Sequence, residues 1–551
     1  MKKRLLTALL CVFIPFTAFA CHRDPVKGPV EKADANALQI GVVKKGYGSD
    51  FVYDLAEAFM AQHKDVLVQV VRDTPDTSFV DTSLEIGVRN EIDIYFDIRD
   101  NGFFDIAAAG ENIVKGYNPV FADLSDVFAS PAAGYADLAA GTTVADIMDG
   151  WVMDTVTFEG KQYAVPWTLG MEGMVFNKKA WDSANKKLAA GSKLVMPRTT
   201  DEMITLFKQI RDDGAISEKP FKYSGTVNYM TIPWAHWWAQ YDGLSAVDNF
   251  LAGKKADGTY AQNAEIFQYG ENGRRYAYDI VRELLGTQGF FDEADQAEQF
   301  TSAQIKFLEG RAFFNFNGDW LEREAASNFR PGETDTAFIR VPVVSRLAYT
   351  LDSFNAFGGA EKDKKFSEAI DYIDCLDGYT LYERPHTAAE KPAWLSDGDV
   401  IRLTEARKAA QINAWSYLTH VPAYSNKLAE AKEFIKFMLS KDGQEIMMKA
   451  AYGTRAPLNV GLEQFDYLKS DKASNMAKTK NEIFSKAASF SAYAKKYPMM
   501  YISGIQPYGR KTMESGFGGS SAESVSSFMT ADYNYYRPLW NDLLSRAGIS
   551  I

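Results

Sequence analysis

Between Tyr163 and Lys178 the chain reads YAVPWTLGMEGMVFNK: two short apolar runs, YAVPW and GMVFN, and between them TLGMEG, whose glycines let the backbone bend or approach another group closely. The pattern is strand, bend, strand. Pro166 has no N–H to give to a ladder, so the first run belongs at a sheet edge or a domain rim rather than inside a sheet. Such a segment suits a crossing between two lobes, and equally any α/β hairpin near a surface. At 551 residues the chain exceeds what one small core can hold, so at least two lobes are expected.

The N-terminus predicts export. Met1–Arg4 (MKKR) is a basic start, and Leu5–Ala20 is an apolar run, interrupted by Pro15, too short to span a bilayer comfortably. Residues 1–20 therefore read as a signal peptide. The run closes on Ala18-Phe19-Ala20-Cys21, which resembles the lipobox of bacterial lipoproteins, with Phe19 departing from the small residue usual there. By that resemblance Cys21 is the lipid-attachment residue and the mature N-terminus; the alternative is an ordinary A-x-A cleavage followed by a cysteine. Two or three acyl chains would anchor stably, since each buried CH₂ contributes about 0.8 kcal/mol. Residues 22–37, charged and without period, form the tether. Of 3 cysteines, Cys11 lies in the signal and Cys21 at its end, so Cys375 stands alone and a disulfide framework is excluded in a monomer. Loss of Lys2, Lys3 and Arg4 takes the formal charge from −12 to −15, a balance that disfavours nucleic acid and anionic membrane surfaces.

Beyond the tether, LQIGVV (38–43) reads as a buried strand and FVYDLAEAFMAQH as a helix with Val52, Leu55, Ala56 and Phe59 on one face, capped by Ser49 or Asp50; VLVQVV (66–71) supplies a second strand. Strand, helix, strand begins a parallel α/β layer. Thr200-Asp201-Glu202-Met203 opens a second helix with a capping signature. NYMTIPWAHWWAQYDG (228–243) crowds three tryptophans and His236 together; His236 has no His or Cys at metal spacing, so no metal and no cofactor are expected. GIQPYGRKT (504–512) lacks the Gly-Lys-Ser/Thr order of a phosphate loop, and no Gly-x-Ser-x-Gly elbow occurs.

Several of these stretches, taken in order, resemble one family. A strand ending Y-x-x-P, a glycine-containing bend and a run closing on Phe-Asn-Lys resembles the first inter-lobe crossover of the extracellular solute-binding proteins of ABC importers, sugar-binding type. FDIAAA (104–109) resembles the family's Pro-Asp-Ile/Val strand with Phe104 in place of proline, FADLSDV (121–127) its Asp-Leu-Ser/Thr segment, Pro197 to Glu202 its P-x-T-x-D-E, AFFNFNGDW (312–320) its Gly-x-Trp strand end, and SNKLAEAKEFIKFM (425–438) its return helix.

The resemblance implies an α/β fold, periplasmic-binding-protein-like type II, with two α/β lobes joined by crossover hinge segments. One lobe takes residues 38–168 and 421–453, the other 169–420 and 454–551 with an insertion at about 347–411. It implies no catalysis. The ligand is a carbohydrate, an oligosaccharide, and the partners are ABC permease subunits; the protein works as a lipid-anchored, extracytoplasmic monomer. By position, Trp320 stacks on a sugar face or is a core tryptophan, and Asp319 accepts from hydroxyls or caps the helix that follows. Trp167 lies where the lobes meet. Glu172 faces the cleft or solvent, Tyr47 is a cleft or loop aromatic, and Glu111 and Asn112 contact hydroxyls or start a solvated helix. Trp234 is the candidate contact of its cluster, with Trp237 and Trp238 packing, and Arg455 clamps ligand oxygens or pairs with an acid. A glycoside hydrolase, which needs two carboxylates across a sugar, and a sensory or adhesive lipoprotein are the competing readings.

Overall fold

A computed structural model describes residues 27–80, 92–98, 120–268, 272–329, 333–387, 389–494, 496–501, 505–518 and 522–551. The expected signal peptide with Cys21, the strand at 104–109, Glu111 and Asn112 lie outside the described residues.

Among the described residues eleven strands build two sheets, beside a short hairpin in which Thr157–Phe158 pairs with Lys161–Gln162. In chain order they are β1 (Leu38–Val43), β2 (Val68–Thr74), β3 (Ile94–Ile98), β4 (Val165–Pro166), β5 (Met171–Asn177), β6 (Lys219–Lys222), β7 (Ala312–Gly318), β8 (Thr336–Ile339), β9 (Ala409–Ile412), β10 (Tyr417–His420) and β11 (Ala488–Phe490). The first sheet has the order β2-β1-β3-β10-β4 and the second β11-β9-β5-β7-β6, with β8 also paired to β5. β1 is parallel to both neighbours, and every residue of β1 and β3 is buried, as in parallel layers covered on both faces. β4 is the sheet's edge, which is where Pro166 can sit: Leu418 pairs with it from one side and nothing needs its missing N–H on the other. β5 is the spine of the second sheet, fully buried, antiparallel to β7 on one side and to β8 and β9 on the other.

Helices cover the sheets by the faces their sequences dictate. α1 (Asp50–Gln62) buries Val52, Leu55, Ala56 and Phe59, the predicted face. Ser49 precedes it but sends its hydroxyl to Asp73 Oδ2 (2.8 Å) instead of capping. α2 (Gly150–Val156) is N-capped by Asp149, whose side chain accepts from Val152 N (3.2 Å). α3 (Thr200–Asp212) opens at Thr200 as its signature suggested, with the Thr199 side chain capping it by accepting from Glu202 N. α4 (Thr231–Asp242) is buried almost all round, the mark of an interior helix, and packs on α5 (Gly273–Gly286). After α6 (Leu321–Ala325) come α7 (Gly359–Leu376), α8 (Asp397–Lys408), α9 (Leu428–Leu439), α10 (Lys441–Ala450), α11 (Asn475–Ser485) and α12 (Val525–Tyr536). α12 returns to α5, so the C-terminal run packs on the second lobe.

Three boundaries differ from the sequence reading. The return crossing lies at 413–416, not 421, because Tyr417–His420 completes the first sheet between β3 and β4 and no glycine or proline announces that strand. The stretch 347–411 is part of the second lobe rather than an appendage: it contributes β9, and buried ion pairs tie it in. Arg340 reaches Asp374 at 3.4 Å and Arg198 reaches Asp371 at 2.6 Å, while Arg407, within the stretch itself, grips Asp374 through two bonds of 2.8 Å. Beyond 454 the chain first runs along the first lobe, where Leu458 bridges Met148, before α11 joins the second.

The three crossings are bonded to one another. Trp167 N donates to Tyr417 O (3.0 Å), Asn413 N to Gly170 O (2.9 Å) and Leu169 N to Arg455 O (2.9 Å). Gly170 sits at φ 55°, and a Cβ there would lie 2.8 Å from the Tyr417 ring and 3.0 Å from Asn413 Cβ. Both conformation and space demand glycine. Gly170→Ala is therefore expected to destabilise by about 1–3 kcal/mol, read as a lower denaturant midpoint at unchanged slope; an unchanged midpoint would mean the crossing is soft.

Candidate functional site

The loops and segments that follow the carboxyl ends of β1, β4 and β7 converge at the lobe junction, the position where α/β sheets present ligand-binding groups. From the first lobe come Tyr47, after β1, and Trp167, after β4; Tyr417 joins them from β10. Tyr47 and Tyr417 meet edge to face at 5.2 Å, and Trp167 meets each at 5.6 Å. Trp167 is fully buried, stacked on Phe51 at 4.9 Å with its indole N–H given to Asp97 O (3.2 Å), so it stands behind the two tyrosines. From the second lobe come Asp319 and Trp320, directly after β7. The indole folds back over Gly318, where any Cβ would collide with it; the glycine of Gly-x-Trp is there to leave room for the ring. Trp320 meets Tyr47 at 6.2 Å and the half-buried Tyr229 at 6.5 Å.

The Tyr47 hydroxyl donates to Asp319 across the lobe boundary. Lys480 of α11, buried, holds the other Asp319 oxygen at 3.1 Å and reaches Thr454 Oγ1 at 3.3 Å. Asp319 thus bonds across the junction and does not cap α6. Register sets Glu172 opposite Gly318, and so beside Asp319. Two ion pairs also join the lobes at this junction: Arg323 to Asp50 at 2.5 Å and Lys496 to Asp154 at 3.6 Å.

The structure brings Tyr47, Trp167, Glu172, Asp319 and Trp320 together and sets two other candidates apart. Trp234 is wholly buried in α4, stacked on Tyr278 at 5.2 Å and against Trp238 at the same distance. Arg455 is buried at the third crossing and gives its N–H groups to Asn481 Oδ1 (2.6 Å), Leu458 O (2.5 Å) and Ala456 O (3.3 Å), with its face on Phe484 at 5.2 Å. Burial lowers it to about 10. Sequence reasoning passed over Tyr417, Gln411, Tyr493 and Lys480. Lys480 looks like any solvated helix lysine, and Tyr493 comes to the site only because β11 pairs with β9.

Glu172 is buried, and among the described residues its carboxylate meets only neutral donors: Gln411 Nε2, the Tyr493 hydroxyl and, at 3.4 Å, Asn413 Nδ2. Burial lifts it to about 8 against the pull of Gln411, and the charge of Asp319 adds to the rise. Tyr47 and Tyr417 are likewise held well above the usual phenol range, by burial first and by neighbouring carboxylates next. The sign follows from linkage. The native state keeps the Glu172 proton that the unfolded chain sheds near 4.5, so stability falls as pH rises from about 4.5 and levels off above about 8. Glu172→Gln should remove that decline: melting curves at increasing pH should show the variant gaining on the parent up to about pH 8. A constant difference would show that Glu172 is ionised throughout.

Three solved structures similar to this chain share its architecture. One is a chitin oligosaccharide binding protein, at 14% identity and TM-score 0.52, covering 92% of this chain and 100% of its own. A second is a protein of Caldanaerobius polysaccharolyticus studied in xylan utilization, at 14% and 0.54, covering 92% and 99%. The third is the binding protein MsmE of Bacillus subtilis in an open conformation, at 14% and 0.51, covering 93% and 99%. At this identity they establish the fold. No curated protein matches the chain. The family model for the bacterial extracellular solute-binding protein matches residues 45–346, more than half of the sequence and the segment that carries Tyr47, Trp167, Glu172, Asp319 and Trp320. The chain belongs to the bacterial extracellular solute-binding protein family.

Proposed function

We propose that this is the binding component of an ABC importer, lipid-anchored through Cys21 outside the cytoplasm, whose lobes close on a carbohydrate, an oligosaccharide, and pass it unchanged to membrane permease subunits. The observation that carries the reading is the company kept at the lobe junction: Trp320 and Tyr229 rings beside Glu172 and Asp319. Ring faces take the C–H face of a pyranose, and carboxylates accept its hydroxyls. Glu111 and Asn112, outside the described residues, are polar groups that the family resemblance alone would add. Trp167 acts from behind, by fixing the positions of Tyr47 and Tyr417. Similar structures that include a chitin oligosaccharide binding protein accord with a saccharide ligand.

One feature favours weighing a hydrolase: Glu172 is raised to about 8 beside a second carboxylate, as a general acid would be. Against it, Asp319 is already spent on Lys480 and Tyr47. Incubation with oligosaccharide mixtures should yield saturable tryptophan fluorescence changes and no new reducing ends; release of reducing ends would install the hydrolase. Trp320→Ala should weaken binding by about 1 kcal/mol or more, roughly fivefold. Unchanged affinity in a titration of the folded variant would remove Trp320 from the site.

A further inference from the structure

The acceptors and donors at the junction do not balance. Glu324, in the first turn of α6, points toward the first lobe: a Cβ on Gly46 would lie 3.0 Å from Glu324 Oε1 and 2.9 Å from Trp320 Cβ. Its other oxygen accepts from Gln304 Nε2 at 2.9 Å. Gln304 is 2% exposed, and having given its N–H to Glu324 it leaves its own carbonyl oxygen buried without a donor. Gln411 repeats the arrangement beside Glu172: its amide N–H goes to the carboxylate, and its carbonyl oxygen is buried and unpartnered. Two acids and two orphan amide oxygens therefore meet at one junction, both acids near the hydroxyls of Tyr229 and Tyr417; Glu172 keeps its proton up to about 8, which leaves Glu324 as the acceptor in want of a donor.

The cations near them are engaged elsewhere. Lys480 is held by Asp319 and Thr454, and Arg323 by Asp50. Among the described residues no Lys, Arg or His lies within ion-pair distance of Glu172 or Glu324, and neither carboxylate appears in any salt bridge. An orphaned buried acceptor is costly unless something donates to it. What is missing is a donor, best a charged one, and the faces of Trp320 and Tyr229 beside Glu324 add the quadrupole attraction that cations find on aromatic rings.

We propose that the site takes an aminated saccharide, its ammonium seated between Glu324, the Gln304 carbonyl and the Trp320 and Tyr229 rings, and that it rejects saccharides carrying carboxylates. This rests on the carbohydrate reading above and narrows it to a charge class. Neutral sugar hydroxyls satisfy the same acceptors less well, because a hydrogen bond from an ionised donor is roughly twice as strong.

The test is calorimetric titration of the full chain with three oligosaccharides of equal length: glucosamine oligomers with free amines, the same oligomers N-acetylated, and uronate oligomers. The amine form should bind at least about tenfold tighter than the acetylated form, the uronate should be the weakest, and added salt should erode the amine's advantage. Glu324→Gln, checked for folding by its melting curve, should shrink the amine-to-acetyl ratio. A uronate that binds as tightly as the amine, or an amine preference identical in Glu324→Gln, would overturn the inference while leaving a sugar binder. Silence from all three, repeated against a wide neutral sugar panel, would overturn the carbohydrate reading and this inference with it.

Discussion

Everything at the junction depends on the backbone bonds that lace the three crossings together. Because Leu169 is tied to Arg455, Gly170 to Asn413 and Trp167 to Tyr417, no crossing can shift without the other two. The three crossings thereby form one bonded unit, the waist between the two sheets. The waist is buried, so its polar groups have to be satisfied from within. Arg455 does much of that: its guanidinium collects the carbonyls of Ala456 and Leu458 and the Asn481 amide, and anchors α11 to the crossing. Burial lowers its affinity for a proton, yet only to about 10, so it stays charged there. α11 in turn carries Lys480, so the post that stiffens the waist also sets the cation that neutralises Asp319.

The contacts that hold the lobes together are unequal. Arg323–Asp50 has partners 21% and 48% exposed and Lys496–Asp154 partners 13% and 70% exposed; such pairs contribute about 0–1 kcal/mol and are screened by salt. The Tyr47–Asp319–Lys480 chain is buried throughout. There the cost of desolvation is high, and an incomplete set would be worse than none. The buried chain is therefore geometrically demanding, while the surface pairs add little. Tyr47 follows β1 of the first sheet and Asp319 follows β7 of the second, so this buried hydrogen bond spans the junction.

Much of the architecture was readable in the chain because it is written in local chemistry. Pro166 announced an edge, the apolar runs of β1 and β5 announced buried strands, and Gly318 with Trp320 marked a strand end, since a ring can fold over the backbone only where no Cβ stands. What escaped was non-local. Tyr417 sits in a four-residue strand with no punctuation before it, so the lobe boundary was drawn too late. Trp234 carries the same indole as Trp320, and only the packing of α4 on α5 decides that it is enclosed. Arg455 looked like a ligand clamp because a guanidinium's donors suit sugar oxygens and backbone carbonyls alike. Lys480 and Gln411 are 161 and 239 residues from the carboxylates they serve, distances at which composition and period say nothing.

The pairing of β5 with β7 has a last consequence. It sets Glu172 opposite Gly318, hence next to Asp319, and two carboxylates in a dry junction cannot both stay ionised unless each has its own cation. Lys480 supplies one. Glu172, buried and bonded among the described residues to amides and a phenol, keeps its proton to about 8. The junction thus has one carboxylate paired with a lysine and one held as an acid by burial among neutral donors. A protonated Glu172 can donate as well as accept, whereas Glu324, farther out and bonded only to Gln304, can only accept when ionised. The three acids therefore present three different faces to whatever enters, and the differences come from the positions of Lys480, Gln411 and Gln304 rather than from the carboxylates themselves.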